Sequence, residues 1–307
     1  MLVIYNPTAG RRRVRHLWSV LDVLVGHGVR LEVAETHSAG HARSLAREAV
    51  RCGIALVVAA GGDGTIAEVA DGMTGSDSRL GIIPLGTANV LAHELHLPFS
   101  AGEIASTLVS GHVMTLWPGI ARSATGSRQF VQMLGIGFDA HVVHHISRPV
   151  KRALGRGAYV VQTLRELPRY KFETMRVAVD GVMHEAGNVI VSKGCLYGGN
   201  YMLAPEASSG SPGFSVVLFK HAGIGSALLA GAALPLNMLA SLPGVTRLRA
   251  NDIAFSDGHG MPAQSDGDPA GSTPLHVTDA ISPIAVVVGR MAKAPGRGAA
   301  VSSGARM

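Results

Sequence analysis

Residues 54–65 read IALVVAAGGDGT, and this stretch decides the fold. Its first seven residues form a continuous apolar run, which is typical of a central parallel strand covered on both faces. Gly61, Gly62 and Gly64 follow directly and let the chain turn sharply and approach a phosphate without a Cβ clash. A purely structural turn would not need this much glycine, so the stretch predicts a ligand-binding loop after a buried strand.

The residues that follow the glycines favour a helix. Thr65 and Glu68 fit its capped first turn, and the helical pattern continues to about residue 73. Asp63 can hold a ribose hydroxyl, a metal-bound water or the loop itself. The loop therefore leads into a helix N-terminus, where the helix dipole attracts anions.

Strands and helices alternate on both sides of this unit. Strands are predicted over 2–5, 29–34 and 80–84, and helices over 14–25, over 40–51 and through residue 95. This order predicts an α/β domain with a doubly wound, Rossmann-like parallel sheet. Ligands of such sheets bind at the carboxyl ends of the strands, which is where the glycine-rich turns lie.

Two more loops lie at this edge. They consist of Asn6, Pro7, Thr8, Ala9 and Gly10 after the first strand, and of Pro84, Leu85, Gly86, Thr87, Ala88 and Asn89 after the fourth. Arg11, Arg12 and Arg13 follow the first of these loops and begin a helix. Their positive charges are unfavourable at the positive end of the helix dipole unless an anion lies nearby. Each loop can instead be a plain turn, with Thr87 or Asn89 as a helix cap. The sequence contains no GxxxxGK[ST] motif, which excludes a P-loop protein.

The pattern changes at about residue 113. Strands are predicted over 113–122, 129–134, 175–179, 188–192, 214–219, 247–255 and 275–277, with helices near 157–167 and 224–239. We therefore expect an α/β domain over 1–112, an antiparallel β-rich domain over 113–290 and a disordered tail over 291–307.

The second half contains one acidic pattern of interest, made of Gln264, Ser265, Asp266, Gly267 and Asp268. Its two carboxylates suit a general base for a substrate hydroxyl, with the neighbouring acid assisting a metal ion or orientation. An exposed turn with two acids is the alternative. Scattered histidines are usually surface or core residues, so no role is given to His41, His93, His141, His144 and His145.

Composition limits the partners. The 307 residues are 47% hydrophobic and 16% charged, which is enough apolar material for two cores. A net charge of +6 favours nucleotide phosphates, nucleic acid or an anionic membrane, and the aromatic content of 5% argues against nucleic acid. Cys52 and Cys195 are the only cysteines, which favours a reducing, cytoplasmic compartment and no structural metal.

The 25 residues between His221 and Arg247 carry no charge, a length that could span a membrane. Pro235, Asn237 and Pro243 interrupt this segment, and its first half is rich in alanine and glycine. We therefore expect a packed or interfacial helix rather than a membrane span.

Together the motifs resemble the diacylglycerol kinase catalytic family, in its bacterial lipid-kinase branch, which is also similar to sphingosine kinases. The resemblance rests on residues 6–10, 61–65 with Glu68, 84–89, 134–139 (LGIGFD) and 266–268, in that order, and extends to about residue 290. The GGDGT loop alone would also fit NAD kinases and their phosphofructokinase-like relatives. Five motifs in order are far more specific.

The resemblance implies a phosphofructokinase-like nucleotide domain, a C-terminal β-sandwich domain, and ATP with Mg²⁺ in the cleft between them. The positions assigned to nucleotide binding are Asn6, Pro7, Thr8, Ala9, Gly10, Thr36, Gly61, Gly62, Asp63, Gly64, Thr65, Glu68, Gly86, Thr87 and Asn89. The family's catalytic acid pair falls on Asp266 and Asp268, and either is a candidate base.

The sequence departs from the family pattern at three places. The family's Asp-Gly-Glu ends in Asp268, which is one methylene shorter than Glu. Residues 205–214 read PEASSGSPGF and lack the Asp-Asp-Gly with which relatives help to hold a magnesium ion, so the metal ligands are left unassigned. Val90 stands where many relatives have Asp.

These features predict a lipid kinase that transfers the γ-phosphoryl of ATP to diacylglycerol, a sphingoid base or a similar lipid. It is expected to be cytoplasmic and peripheral at the anionic inner membrane surface, without a nucleic-acid partner, and a homodimer is compatible with it. An NAD kinase-like enzyme and a catalytically silent nucleotide-binding module are the alternatives.

Overall fold

The computed structural model describes residues 1–9, 11–124, 126–146, 157–256 and 260–289. Its described helices are α1 (Arg11–Gly26), α2 (His41–Arg51), α3 (Asp63–Gly72), α4 (Val90–Glu94), α5 (Ala101–Ser110), α6 (Phe138–His145), α7 (Gly157–Glu166) and α8 (Ile224–Ala233). Short 3₁₀ helices lie at Pro7–Ala9, Leu234–Leu236 and Leu239–Ser241. Gly10 and the tail expected over 291–307 lie outside the described residues, as do the side chains of Ala9, Arg11 and Arg12.

The strands are β1 (Leu2–Tyr5), β2 (Glu32–Glu35), β3 (Leu56–Gly61), β4 (Arg79–Pro84), β5 (His112–Leu116), β6 (Gly119–Ser123), β7 (Gly126–Phe130), β8 (Met133–Gly137), β9 (Met175–Val179), β10 (Val182–Ala186), β11 (Asn188–Ser192), β12 (Leu196–Tyr197), β13 (Tyr201–Met202), β14 (Phe214–Phe219), β15 (Val245–Ala250), β16 (Asp252–Phe255), β17 (Pro262–Ser265), β18 (Asp268–Ser272), β19 (Leu275–Asp279) and β20 (Ile284–Val288).

The first sheet has the order β2-β1-β3-β4-β20-β5. Its first five strands run parallel, and β5 pairs antiparallel with β20. Both β5 and β20 come from the range that the sequence assigns to the β-rich part, so the chain returns near its end to complete this sheet. The prediction of a doubly wound α/β sheet is confirmed.

Strand β3 shows why the run at 54–60 is apolar throughout. Leu56, Val58 and Ala60 pack in one cluster with residues of α1 and α5. Val57 and Ala59 pack in another cluster with residues of α2 and α3. Because helices cover both faces of the sheet, neither set of alternate side chains meets water.

The second half of the chain forms two antiparallel sheets. Their orders are β10-β9-β16-β19-β6-β7 and β15-β14-β11-β8-β17-β18. Alternate residues of both sheets share one buried cluster, which includes Phe130, Leu134, Val177, Val216 and Phe255. This is the expected β-sandwich, since each sheet buries one face against the other.

Two predicted strands are in fact pairs of strands. The segment 113–122 divides at Trp117 and Pro118 into β5, in the α/β sheet, and β6, in the sandwich. The segment 247–255 breaks at Asn251, whose N–H donates to Asp180 Oδ1 at 3.0 Å, so β15 and β16 join different sheets. A run of strand-type residues does not by itself reveal where the chain changes sheets.

The uncharged segment after His221 forms α8 and two 3₁₀ turns instead of the single helix predicted over 224–239. The helix ends at Ala233 because Pro235 has no N–H to continue the hydrogen-bond ladder. None of the described helices combines the length and apolar character that crossing a bilayer requires. Ala233 is buried, whereas Leu229 on the same helix is 52% exposed.

Candidate active site

The loops after β3 and β4 touch through their glycines. The two strands pair in parallel with Gly61 opposite Pro84, and the Leu85 N–H donates to the Gly61 carbonyl at 2.8 Å. A Cβ on Gly86 would lie 2.5 Å from the Gly62 Cα. The expected adjacency of these loops is confirmed, and it requires two residues without side chains.

The glycines of the GGDG loop are needed for close approach rather than for a left-handed turn. Gly62 has an ordinary φ of −93°. A Cβ on Gly61 would lie 2.6 Å from the Thr65 Cβ, and one on Gly64 would overlap the Asp268 carboxylate. The sequence favours these glycines for two reasons, a sharp turn and the absence of a Cβ, and the contacts within the chain depend on the second.

Asp63 holds the loop assembly together. Its Oδ1 accepts the Leu91 N–H at 3.2 Å, at the start of α4. Asn89 precedes that helix with φ 48° and makes no side-chain cap. The N-terminus of α4, which Thr87 or Asn89 was expected to cap, is therefore capped by Asp63. Thr87 lies half-buried in the loop before this helix.

Glu68 does not cap its own helix, contrary to the sequence interpretation. Its carboxylate accepts the N–H groups of Gly40 at 2.8 Å and Ala42 at 3.2 Å, at the N-terminus of α2. Two donors that α2 cannot satisfy internally are thereby paired. The spacing of Thr65 and Glu68 suits a capping box, but the acceptor is used by a neighbouring helix.

The loop after β1 joins the same edge. Asn6 Nδ2 donates to Thr65 Oγ1 at 3.0 Å, and Asn6 Oδ1 accepts the Thr8 N–H at 2.9 Å. Thr36 lies beside it and donates its N–H to the Tyr5 carbonyl at 2.9 Å. Arg13 donates to the Leu85 carbonyl, which links α1 to the loop after β4. Three loops thus form one surface.

The acidic pattern is a two-residue hairpin turn between β17 and β18. Asp266 and Gly267 have φ values of 50° and 83°, which is the type I′ geometry that Asp-Gly favours. Asp266 Oδ2 accepts the Val131 N–H at 2.8 Å, and Oδ1 accepts the N–H groups of Gln132 and Met133 at 2.8 and 2.9 Å. Asp266 is an anchor for the hairpin.

The two acids differ in environment. Asp266 is 9% exposed, and its burial raises its pKa to about 7. The three backbone N–H groups that bond to its carboxylate lower the pKa in part, and the nearby charge of Asp63 raises it further. The Asp268 side chain is 45% exposed and lies against Gly64, with Arg128 Nη2 3.8 Å from Oδ2. Asp268 is therefore the acid with access to solvent and to the glycine loop.

The LGIGFD stretch supports the hairpin. Asp139 is half-buried and accepts hydrogen bonds from the Tyr197 hydroxyl and, at 2.9 Å, from Gln264 Nε2. Gln264 Oε1 in turn accepts the Gly267 N–H at 2.9 Å. Burial raises the pKa of Asp139, which its hydrogen bonds to Tyr197 and Gln264 oppose. Through these contacts, α6 helps to fix the position of the acidic turn.

Several of these residues were not assigned by sequence. Arg128 lies on β7 with no motif to mark it, and Gln264 was quoted only as part of the acidic pattern. Asp139 was part of a family motif without a stated role. Their contacts with the hairpin join positions far apart in sequence, which local patterns do not encode.

His141, His145 and Glu166 form the group in the described part of the chain whose ligand atoms lie close enough, within 4.8 Å, to hold a metal ion. His141 Nε2 lies 3.0 Å from Glu166 Oε2, and Gln162 Nε2 donates to the other Glu166 oxygen at 2.9 Å. These contacts join α6 to α7.

A surface depression of about 540 Å³, lined in part by Arg43, lies at the opposite end of α3 from the glycine loops.

Two family models match different parts of the chain. Residues 1–118 match the model described as "Diacylglycerol kinase catalytic domain", and residues 132–290 match "YegS C-terminal NAD kinase beta sandwich-like domain". A diacylglycerol kinase of Bacillus subtilis is 31% identical over 229 residues, which cover 72% of this chain and 74% of that protein.

Two further comparisons agree. A YegS-like lipid kinase of Chromohalobacter salexigens is 30% identical, covering 79% of this chain and 78% of its own length. A crystal structure of a diacylglycerol kinase from Bacillus anthracis has the same fold, with a TM-score of 0.68, 19% identity, and coverage of 95% of this chain and 97% of that one.

The fold and the loop surface define a two-domain protein of the diacylglycerol kinase type, with an α/β domain whose glycine loops meet an acidic hairpin of a β-sandwich. The chain belongs to the diacylglycerol kinase catalytic-domain family, as its sequence motifs indicate.

The burial of Asp266, which raises its pKa, predicts a pH effect on stability. Its folded pKa of about 7 exceeds the ordinary value of 3.8, so the folded chain holds a proton that the unfolded chain releases. This contribution to the free energy of unfolding is complete below about pH 4 and is lost as pH rises through 7, by at most about 1.4 kcal/mol per pH unit. Urea unfolding between pH 4 and 8 measures it.

Asp266→Asn should remove that slope and lower the free energy of unfolding at acid pH by about 1–3 kcal/mol, because one amide oxygen replaces two acceptor oxygens. Asp268→Asn is the matched control and should keep the wild-type slope. Equal slopes in Asp266→Asn and the wild type would contradict the assignment.

Proposed function

We propose that the chain is an ATP-dependent lipid kinase, which transfers the γ-phosphoryl to a lipid hydroxyl such as that of diacylglycerol or a sphingoid base. Family membership supports lipid kinase activity in general terms. One observation carries the proposal: the Asp268 carboxylate of the sandwich lies directly against Gly64 of the glycine loop. A proton acceptor and a phosphate-binding loop therefore belong to one site.

The three loops supply the nucleotide site. Asn6 through Gly10, Thr36, Gly61 through Thr65, and Gly86 through Asn89 are the proposed contacts, and Glu68 supports them from behind. The N-terminus of α3 points its first-turn N–H groups and its partial positive charge toward this surface, which suits phosphate oxygens. Asn6 and Asp63 act mainly by holding the loops together, because their side chains contact Thr65 and Leu91.

Charge explains why the substrate is MgATP rather than free ATP. Asp63 lies close enough to Asp266 to raise its pKa, and Asp268 follows in the same hairpin, so acids converge where the triphosphate must lie. Mg²⁺ prefers oxygen ligands, which the phosphates of the nucleotide would offer. The ion would supply charge compensation there and leave the exposed Asp268 carboxylate to accept a proton. Arg128 adds a positive charge near Asp268.

The proposed reaction uses Asp268 as the general base. Its carboxylate accepts the proton of the lipid hydroxyl while the hydroxyl oxygen forms a bond to the γ-phosphorus. The bond from that phosphorus to the β–γ bridging oxygen breaks, and ADP leaves. Asp266 fixes the hairpin through its three N–H bonds, so catalysis depends on positioning as much as on proton transfer.

The lipid would approach from the side of α8. Ala230 and Leu234 pack against a buried cluster that includes Leu239 and also Val90, directly after the second glycine loop. The outer side chains are exposed, with Leu228 at 48% and Leu229 at 52%. Apolar surface outside and an apolar cluster leading to the loops support interfacial docking. The protein would then work at the cytoplasmic, anionic membrane surface, where its net positive charge helps.

Radiolabelled ATP with a panel of glycerolipids, sphingoid bases and ceramides, read by chromatography, tests the proposal. A labelled lipid product is expected. A reaction with NAD in place of lipid would instead favour the NAD kinase-like alternative, which the description of the second family model keeps open. ATP binding without transfer to any acceptor would indicate a silent nucleotide-binding module.

Asp268→Asn should lower kcat by roughly 10²–10⁴-fold, because the hydroxyl loses its proton acceptor. ATP affinity, measured by calorimetry, should change little, since the loops are intact. Asp252→Asn is the control, because Asp252 is exposed and pairs with His276 on the sandwich surface. Near-normal turnover in Asp268→Asn would assign the base elsewhere.

The double substitution Leu228→Ser with Leu229→Ser should weaken binding to anionic vesicles by at least about tenfold in flotation assays, because it removes two apolar side chains from the docking surface. Turnover of a short-chain soluble lipid should stay unchanged. Val182→Ser with Met183→Ser removes equally exposed apolar side chains from β10 and is the control. Equal binding to neutral and anionic vesicles, unaffected by salt, would argue against the electrostatic contribution.

A further inference from the structure

Lys193 is a fully buried cation in the sandwich. It follows β11, and its side chain has 0% exposure. Nζ donates to the Ser211 carbonyl at 3.1 Å, to the Gly213 carbonyl at 2.8 Å and to Asp279 Oδ1 at 2.7 Å. An ammonium has three N–H donors, so every one of them is used.

The oxygens around Lys193 are themselves held in place. Asp279 Oδ2 accepts the Gly213 N–H at 2.6 Å, which ties the carboxylate of β19 to the segment before β14. The Phe214 ring lies 4.7 Å from Nζ and adds a cation–π contact. Burial lowers the pKa of Lys193, and Asp279 opposes this shift. The cluster is built to receive a positive charge.

Two carbonyls and a carboxylate converging on one buried point are the ligands that a hard divalent cation prefers. The family resemblance implies a magnesium ion in this segment, held with the help of Asp-Asp-Gly. Residues 205–214 contain no Asp, and their one acid, Glu206, pairs with Arg247 at 3.2 Å and accepts from Ser215 Oγ at 2.5 Å. The residues present do not fit a magnesium site.

We infer that the Lys193 ammonium is the resident cation of this oxygen cluster, so that the segment is ordered by a side chain and takes no divalent metal. A single positive charge at the end of a buried stem balances the Asp279 carboxylate. The ammonium also donates to the part-buried carbonyls of Ser211 and Gly213.

Two backbone hydrogen-bond steps connect Lys193 to the candidate active site. The Lys193 N–H donates to the Gln132 carbonyl at 2.8 Å, and the Gln132 N–H donates to Asp266 Oδ1 at 2.8 Å. Lys193, directly after β11, therefore supports through its backbone N–H the segment 131–133 that anchors the acidic hairpin. This inference concerns assembly of the sandwich and holds whether or not the proposed kinase activity is correct.

The test is thermal unfolding of the full chain without nucleotide, in EDTA and in excess MgCl₂ or CaCl₂. The wild-type Tm should be the same in all three. Lys193→Met, which keeps the apolar stem and removes the charge, should lower Tm by roughly 5–10 °C because the partly buried Asp279 carboxylate loses its cationic partner. Lys220→Met, at an exposed lysine, is the matched control and should match the wild type.

A Lys193→Met protein with wild-type Tm would overturn the inference. Hydrogen exchange of the Gly213 amide in the wild type provides a second measurement that needs no variant, because this N–H is bonded to Asp279. Its rate should be equal in EDTA and in MgCl₂. Slower exchange in the presence of either divalent cation would place a metal ion at the cluster and overturn the inference, even if Lys193→Met does not fold.

Discussion

The Asp266 carboxylate, accepting three backbone N–H groups from residues 131–133, is the interaction on which the site depends. It holds the hairpin in the one position that brings Asp268 against Gly64, and it does so from a buried place where an unsatisfied carboxylate would be costly. Because the N–H groups belong to the strand connection of the sandwich, the second domain's core determines where the acid meets the first domain's loops. The geometry of the candidate site thus depends on the packing of both domains.

Much of the fold could be predicted because burial on two faces leaves an unmistakable pattern. The apolar run at 54–60 and the glycines after it indicated a central parallel strand and its loop, and β3 is that strand. The points where the chain changes sheets, at Trp117 and Asn251, were missed because residues of strand type lie on both sides of each break, and local patterns do not show which sheet a strand joins. The roles of Asp63 and Glu68 were also beyond local reasoning, since their partners, Leu91 and Gly40, lie 28 residues away in each case.

The candidate site concentrates negative charge where the proposed substrate would bring phosphate. Each acid has a backbone or positively charged neighbour: Asp63 has the start of α4, Asp266 has three amides, and Asp268 has Arg128. At Lys193 in the sandwich the signs are exchanged, because a buried positive charge is balanced by surrounding oxygens. In both places the local charge is balanced by groups that the fold holds rigidly, which reduces the reorganisation needed when a ligand arrives.

Strand β20 lies between β4 and β5 although it is separated from β4 by about 200 residues of chain, from Pro84 to Ile284. During synthesis the first four strands leave the ribosome about 200 residues before β20 does, so β4 has an open edge until β20 has been made. The nascent amino-terminal half is therefore exposed to wrong pairing for most of that time. Chaperone demand during biosynthesis should be set by this late-arriving strand rather than by the sandwich.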